Sequence, residues 1–266
     1  MRDISDTSSR TPAELRRAIR AGLFTGPTAG QAPGCVQANV VILPRSDADE
    51  FAEFCRLNNR PCPLIEQTPP GVASPTRSAA DADLRTDVPR YRVFRGGVAD
   101  AHEPTDVSDL WRDDLAAFLL GCSFTFEAAL AAAGLPVRHV EQGRNVPMYR
   151  TSRECRPAGR FRGNLVVSMR PYRPEMVERV VAITAQYPRM HGAPVHVGDP
   201  AKLGIRDLAR PDFGDAAAVR EDEVPVFWAC GVTPQLALLA AGCEIAVTHS
   251  PGCMFVTDLK DEAFCE

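Results

Sequence analysis

Two cysteines stand at matching places in this chain. Cys122 opens the run Cys122-Ser123-Phe124-Thr125-Phe126-Glu127, and Cys230 opens Cys230-Gly231-Val232-Thr233-Pro234-Gln235. A thiol just before a helix N-terminus has a lowered pKa and suits a nucleophile or a proton carrier. The alternative is a small residue needed at a tight strand-to-helix corner. Ser123, Thr125, Gly231, Thr233 and Gln235 line the two turns. With the free N–H groups of a helix's first turn they make a binding surface for an anion. Glu127 and Gln235 fall in those first turns, where the helix dipole favours a carboxylate in any case.

His191 and His196 flank Gly192-Ala193-Pro194, and Asp199 follows Gly198. His196 with Asp199 reads as a general acid/base pair, the carboxylate fixing the imidazole tautomer. Three dispersed O/N donors leave a divalent metal open as a second use, and a hydrogen-bonded loop as a third. No cofactor is expected. Arg170 ends the strand pattern over Leu165–Met169, and a guanidinium there suits a bidentate carboxylate or a structural ion pair. His249 and Asp258 bracket the Ser250-Pro251-Gly252 turn and are expected to face the same cleft. His102 and His139 have no such setting and read as ordinary. Neither a G-x-G-x-x-G pattern nor a P-loop occurs.

These residues need corners to hold them, and the pattern supplies many. The chain has 266 residues, 45% of them hydrophobic and 24% charged, with 19 glycines and 23 prolines. That is a soluble globular composition with short elements and sharp turns. The formal charge of −4 argues against nucleic acid as a partner. The longest uncharged apolar stretch, Leu115 to Phe126, is too short to span a membrane. The polar segment Met1 to Arg10 lacks the apolar run of a leader, so the expectation is cytoplasmic. Nine scattered cysteines without a C-x-x-C pair point away from a disulfide framework.

Thr11-Pro12-Ala13-Glu14 is a capping box opening a helix that Gly22 stops. Val36–Leu43 predicts a buried strand, Ser46–Leu57 a helix capped by Ser46, and Gln67–Asp87 a long surface loop. Strands are predicted over Tyr91–Phe94, Val137–Val140, Gly163–Met169, Val224–Ala229, Ile245–Thr248 and Phe255–Thr257. Helices are predicted over Pro174–Tyr187 and from Thr233 to Gly242. Strand, helix and strand over Val224–Thr248 make a βαβ unit, hence a mixed sheet with some parallel pairing.

The Cys-x-x-Thr starts, the closing Gly134 and Gly242, and the echo of Met148-Tyr149-Arg150-Thr151 in Met254-Phe255-Val256-Thr257 point to an internal duplication. Segments 118–152 and 226–258 would be pseudo-two-fold halves of one domain over 1–266. Since Val226-Phe227-Trp228 is strand, its counterpart within Leu115–Gly121 is read as strand too. The fold class is therefore α+β or mixed α/β, with a pocket between the halves for a small carboxylic acid.

Six runs carry a family resemblance: Gly121–Glu127, Asn145–Tyr149, Val167–Pro171, His191–Pro200, Pro225–Gln235 and Thr248–Gly252. In order and spacing they resemble the YcsI-type hydro-lyases over the whole chain. That family is also similar to one domain of the mitochondrial D-glutamate cyclase of animals, which closes D-glutamate to 5-oxo-D-proline with loss of water. The resemblance implies a lyase acting on a small amino or hydroxy acid. Two other readings stand beside it. One is a cofactor-independent racemase or epimerase using Cys122 and Cys230 as opposed acid and base. The other is a non-enzymatic small-acid binding or accessory protein of 5-oxoproline metabolism. A homo-oligomer is compatible with all three, and neither nucleic acid nor membrane is expected as a partner.

Overall fold

A computed structural model describes residues 10–266. The polar opening segment read above for its lack of a leader lies, apart from Arg10, outside the described residues. Among the described residues no helix is long and apolar enough to cross a membrane.

Helix α1 (Pro12–Arg20) starts on its capping box: Thr11 Oγ1 accepts from Glu14 N at 3.3 Å, and Glu14 Oε2 accepts from Thr11 N at 2.9 Å. Strand β1 (Cys35–Pro44) is buried along its whole length. Its alternation serves two cores. Val41 and Leu43 face helix α2 (Arg45–Leu57), with Phe51 and Phe54, while Ala38, Val40 and Ile42 face the opposite side. Helix α2 begins after Pro44 with no side-chain cap, so Ser46 does not serve as one.

The chain continues through β2 (Leu64–Gln67), β3 (Tyr91–Arg95), β4 (Val98–Ala99) and β5 (Leu115–Gly121) to the short helices α3 (Glu127–Ala132) and α4 (Arg138–Glu141). Strands β6 (Met148–Glu154) and β7 (Asn164–Tyr172), helix α5 (Pro174–Ala185), and strands β8 (His196–Val197) and β9 (Val224–Ala229) follow. Helix α6 (Thr233–Ala241), β10 (Ile245–His249) and β11 (Phe255–Lys260) complete the order.

Two sheets result, and every strand pair among the described residues is antiparallel. One runs β2-β5-β1-β10-β3-β4, with β11 also on β1; the other runs β6-β7-β9-β8. The mixed α/β class holds, but the parallel βαβ unit does not form. Strand β9 lies in the second sheet and β10 in the first, so α6 crosses between sheets. Its composition explains this. Thr233, Pro234, Gln235, Ala237, Leu238 and Ala241 are all buried, and a helix without a polar face cannot cover a sheet with its back in water. The matching segment crosses the opposite way, from β5 in the first sheet to β6 in the second.

Two further expectations are corrected. Val137–Val140 is not a strand: Arg138–Glu141 forms one helical turn, with Glu141 Oε1 accepting from Val137 N at 3.2 Å. Residues 68–90 form a loop, but one whose Ala79, Ala82, Leu84 and Val88 pack against the first sheet as its second cover. Phe51, Phe54, Phe118 and Phe161 fill the other side.

Candidate active site

The two strand-to-helix corners meet in the interior. At the first, Gly121 ends β5, and a Cβ there would lie 2.2 Å from the Arg189 carbonyl oxygen. At the second, a Cβ on Gly231 would lie 2.0 Å from the Asn39 side-chain amide. Asn39, in the middle of β1, donates from Nδ2 to the Gly121 carbonyl at 2.7 Å. One buried amide thus fills the space between both corners, and only glycine fits at either. Thr233 ties the second corner to β7: its Oγ1 accepts from Val166 N at 3.0 Å and donates to the Cys230 carbonyl at 2.7 Å. Thr125, which follows Cys122 at the spacing at which Thr233 follows Cys230, is buried with an unpartnered hydroxyl.

At this junction sits an ion cluster sealed from solvent. Arg170 is 1% exposed and Glu127 6%. The Arg170 guanidinium donates from Nε to Glu127 Oε1 at 3.1 Å, and from Nη2 to the same oxygen. It also donates to Ser123 Oγ at 3.1 Å and Ser168 Oγ at 3.2 Å. The Phe126 and Trp228 rings flank it, with Cζ 5.4 and 5.3 Å from their centroids. Buried His139 places Nε2 3.1 Å from Glu127 Oε1 and stacks on Phe124. Burial opposes ionisation of Glu127, but the charge of Arg170 and the contact with His139 outweigh it and hold its pKa below the usual carboxylate value.

His139 and Asn39 were missed by the sequence reading. The sequence around His139 gives it no site-like setting, and it reads as ordinary. Arg170 and Ser123, both expected at a site, come together here, and Glu127, read from the sequence as a carboxylate favoured by the helix dipole, engages Arg170.

The thiols differ from expectation. Cys122 and Cys230 lie on a shared apolar patch with Val166, Met148 and Met254. Burial pushes Cys122 up to about 12 and Cys230 up to about 11, against the small lowering from backbone N–H groups. Desolvation of a thiolate outweighs the backbone N–H groups at both corners. Alkylation at neutral pH, mapped by peptide mass, is expected to modify exposed Cys265 first and half-buried Cys155 next. Cys122 and Cys230 should react only on unfolding; labelling of either ahead of Cys155 would show that the junction opens.

His196 and Asp199 are elsewhere. His196 pairs with Phe227 in register and stacks on its ring. Phe227 faces the core of Tyr149, Met169 and Leu203, whereas Trp228 and Val226 face the opposite side of the sheet. Since Ser168 and Arg170 alternate with Val167 and Met169 along β7, His196 and Arg170 lie on opposite faces. The ring's Nε2 meets the Asp199 carbonyl oxygen at 2.7 Å. The Asp199 carboxylate instead caps the following turn, accepting from Ala201 N at 2.9 Å. The carboxylate therefore does not fix the tautomer.

His191 is separately buried, with Nδ1 2.6 Å from the Arg60 carbonyl, and burial pulls its pKa down to about 4. His249 accepts from Val40 N at Nδ1 at 3.1 Å, and burial brings it likewise to about 4. Gln235 clamps the same turn, donating to the His249 carbonyl at 3.0 Å. Asp258 does not face His249: it pairs with Arg16 of α1 at 2.9 Å and anchors that helix to β11. Among the described residues no three His, Cys, Asp or Glu side chains converge as a metal would require.

Glu127 also lines a cavity of about 160 Å³, with Gln37, Phe124, Ala128, Val140 and Asp261 on its walls. Burial, and then the charge of Glu262, push the Asp261 carboxyl up to about 7. The folded chain thus binds this proton more tightly than the unfolded one. The resulting stabilisation is full below the ordinary aspartate pKa of about 4 and is lost as pH rises to about 7. Urea midpoints should fall over that window, and Asp261→Asn should flatten this part of the slope. An equal slope in the variant would assign it to other groups.

A mixed α/β protein with two antiparallel sheets and a buried ion cluster at paired corners is the class these features define. The chain belongs to the D-glutamate cyclase family, whose pattern matches residues 116–258. It is 62% identical over 252 residues to a protein of Rubrobacter xylanophilus named "Putative hydro-lyase", covering 95% of this chain and 97% of that one. A protein of the same name from Stutzerimonas stutzeri is 56% identical over 252 residues, 95% of each chain. Among solved structures, a nitrogen repressor-like protein of Methanococcus jannaschii aligns at 10% identity over 89% of this chain and 91% of its own, with a TM-score of 0.36.

Proposed function

We propose that this chain is a lyase that removes water from a small carboxylic acid, working at the junction of Glu127, Arg170 and His139. The observation that carries the reading is the sealed ion cluster itself. Burying an arginine, a glutamate and a histidine together is costly, and hydrophobic residues of similar size would hold the corners as well. A buried carboxylate whose pKa is shifted by charged neighbours, as that of Glu127 is, is a functional candidate. Membership of the D-glutamate cyclase family and the names of its relatives support the reaction class.

Loss of water needs a proton for the departing oxygen and an anchor for the acid. Of five guanidinium N–H groups, the contacts above use four, leaving one on Nη1 for a carboxylate once the two corners part to admit it. His139 gives the proton that leaves with the oxygen, and the Glu127 carboxylate beside it holds the ring in place. For D-glutamate the step is ring closure: the amine nitrogen bonds to the side-chain carboxyl carbon, that carbon loses one oxygen as water, and 5-oxoproline remains. We read the two corners as the halves of a duplicated core, each contributing one wall.

A panel of D- and L-glutamate, related amino acids and hydroxy acids, followed by proton NMR, tests the proposal. The expected result is loss of one acid with appearance of its dehydrated product, abolished in Glu127→Gln. Binding without turnover across the panel would replace the lyase by a small-acid binding protein.

A further inference from the structure

The cavity beside Glu127 has a chemistry of its own. It is enclosed by the loop before β1, by α3 and α4, and by Asp261 after β11. At about 160 Å³ it is below the usual range of roughly 300–1,000 Å³ for drug-sized ligands, so its occupant is a small group. Most of the wall is apolar, with Phe124, Ala128 and Val140. Beside the half-buried Gln31 amide and the Cys35 thiol, the polar side-chain groups of the wall are acceptors. Gln37, 4% exposed, spends its amide hydrogens on the carbonyls of Thr28 at 2.9 Å and Gln31 at 3.0 Å. Its Oε1 is buried without a partner. Asp261, held to the loop by its N–H on the Gly34 carbonyl at 3.2 Å, has an equally unpartnered Oδ1. Glu127 completes the set. Lys260, next to Asp261 in sequence, puts its ammonium 3.5 Å from the Cys35 thiol, and Arg170 already engages Glu127 Oε1.

Unpartnered buried acceptors cost free energy unless a donor meets them. A neutral hydroxyl brings one donor, and an anion brings none. A primary ammonium brings three donors and the opposite charge, with an alkyl stem that suits the apolar wall. We infer that this cavity is a binding site for a small primary ammonium group, received by Gln37 Oε1, Asp261 and Glu127. The inference goes beyond the lyase reading and does not depend on it. It gives roles to Gln37 and Asp261, which lie outside both corners, and it is measured without turnover.

Binding of propylammonium chloride to the full chain, by calorimetry and thermal shift, tests it. Propan-1-ol and potassium chloride at matched ionic strength are the controls. At pH 8.5, where Asp261 is ionised, saturable binding of propylammonium alone is expected, weakened at least tenfold by Asp261→Asn, which keeps shape and removes charge. Val140→Phe, at an exposed rim position, should block the cavity and abolish binding in a folded protein. Equal responses to propanol or potassium chloride would overturn the proposal. So would unchanged affinity in folded Asp261→Asn, or in Val140→Phe should the first variant not fold. A chain that binds propylammonium yet turns over no acid would keep this site and lose the lyase.

Discussion

Glu127→Leu is expected to lower the unfolding free energy by roughly 3–5 kcal/mol, the cost of leaving a buried charge unpaired. Arg170 has no route to solvent from its place between Phe126 and Trp228, and the Ser123 and Ser168 hydroxyls carry no charge to offset it. His139 loses its carboxylate in the same change. The double variant Glu127→Leu with Arg170→Met should recover much of the loss, because a well-packed apolar pair removes both desolvation costs. Urea denaturation of the two single variants and the double variant gives the coupling directly. A loss below about 1 kcal/mol for Glu127→Leu, the range of an exposed pair, would mean that the cluster is not sealed.

Local structure was largely legible. The capping box at Thr11 and Glu14, the apolar run Val36–Leu43 and the Gly242 stop are short-range signals, and each marks an element of the fold. Reading Leu115–Gly121 as strand came from its likeness to Val226–Trp228, and it is strand β5. Pairing was not legible. Nothing within Val224–Thr248 says that its two strands join different sheets, since pairing is set by which distant strand completes each face. The site divides in the same way. Arg170 and Ser123 stand out by type and position, whereas Glu127 reads locally as a carboxylate that any helix N-terminus favours. His139 does not stand out, because its meaning comes from Glu127 across a helix and from Arg138, which pairs with Glu223 in the loop before β9 and fixes the turn. Asn39 was hidden for the opposite reason: it sits in the middle of an apolar strand, and its role exists only once both glycine corners close around it.

Two histidines now separate the competing placements of the chemistry. His139→Gln is expected to lower kcat by about 10²–10⁴-fold on whichever acid proves to be the substrate, the usual contribution of a positioned acid or base. His196→Ala should leave kcat unchanged, because that ring lies across the sheet from Arg170, bound to a backbone carbonyl and stacked on Phe227. Both variants keep their surroundings: glutamine retains a polar contact to Glu127, and His196 is only half-buried on a two-residue edge strand. Arg170→Lys gives the third reading. Lysine preserves the charge against Glu127 but loses the planar fork, so KM should rise more than kcat falls if the guanidinium anchors a carboxylate. If kcat instead collapses in His196→Ala and survives in His139→Gln, the reaction belongs to the other face of the second sheet. Glu127, Arg170 and His139 would then be the lock that holds two strand-to-helix corners together.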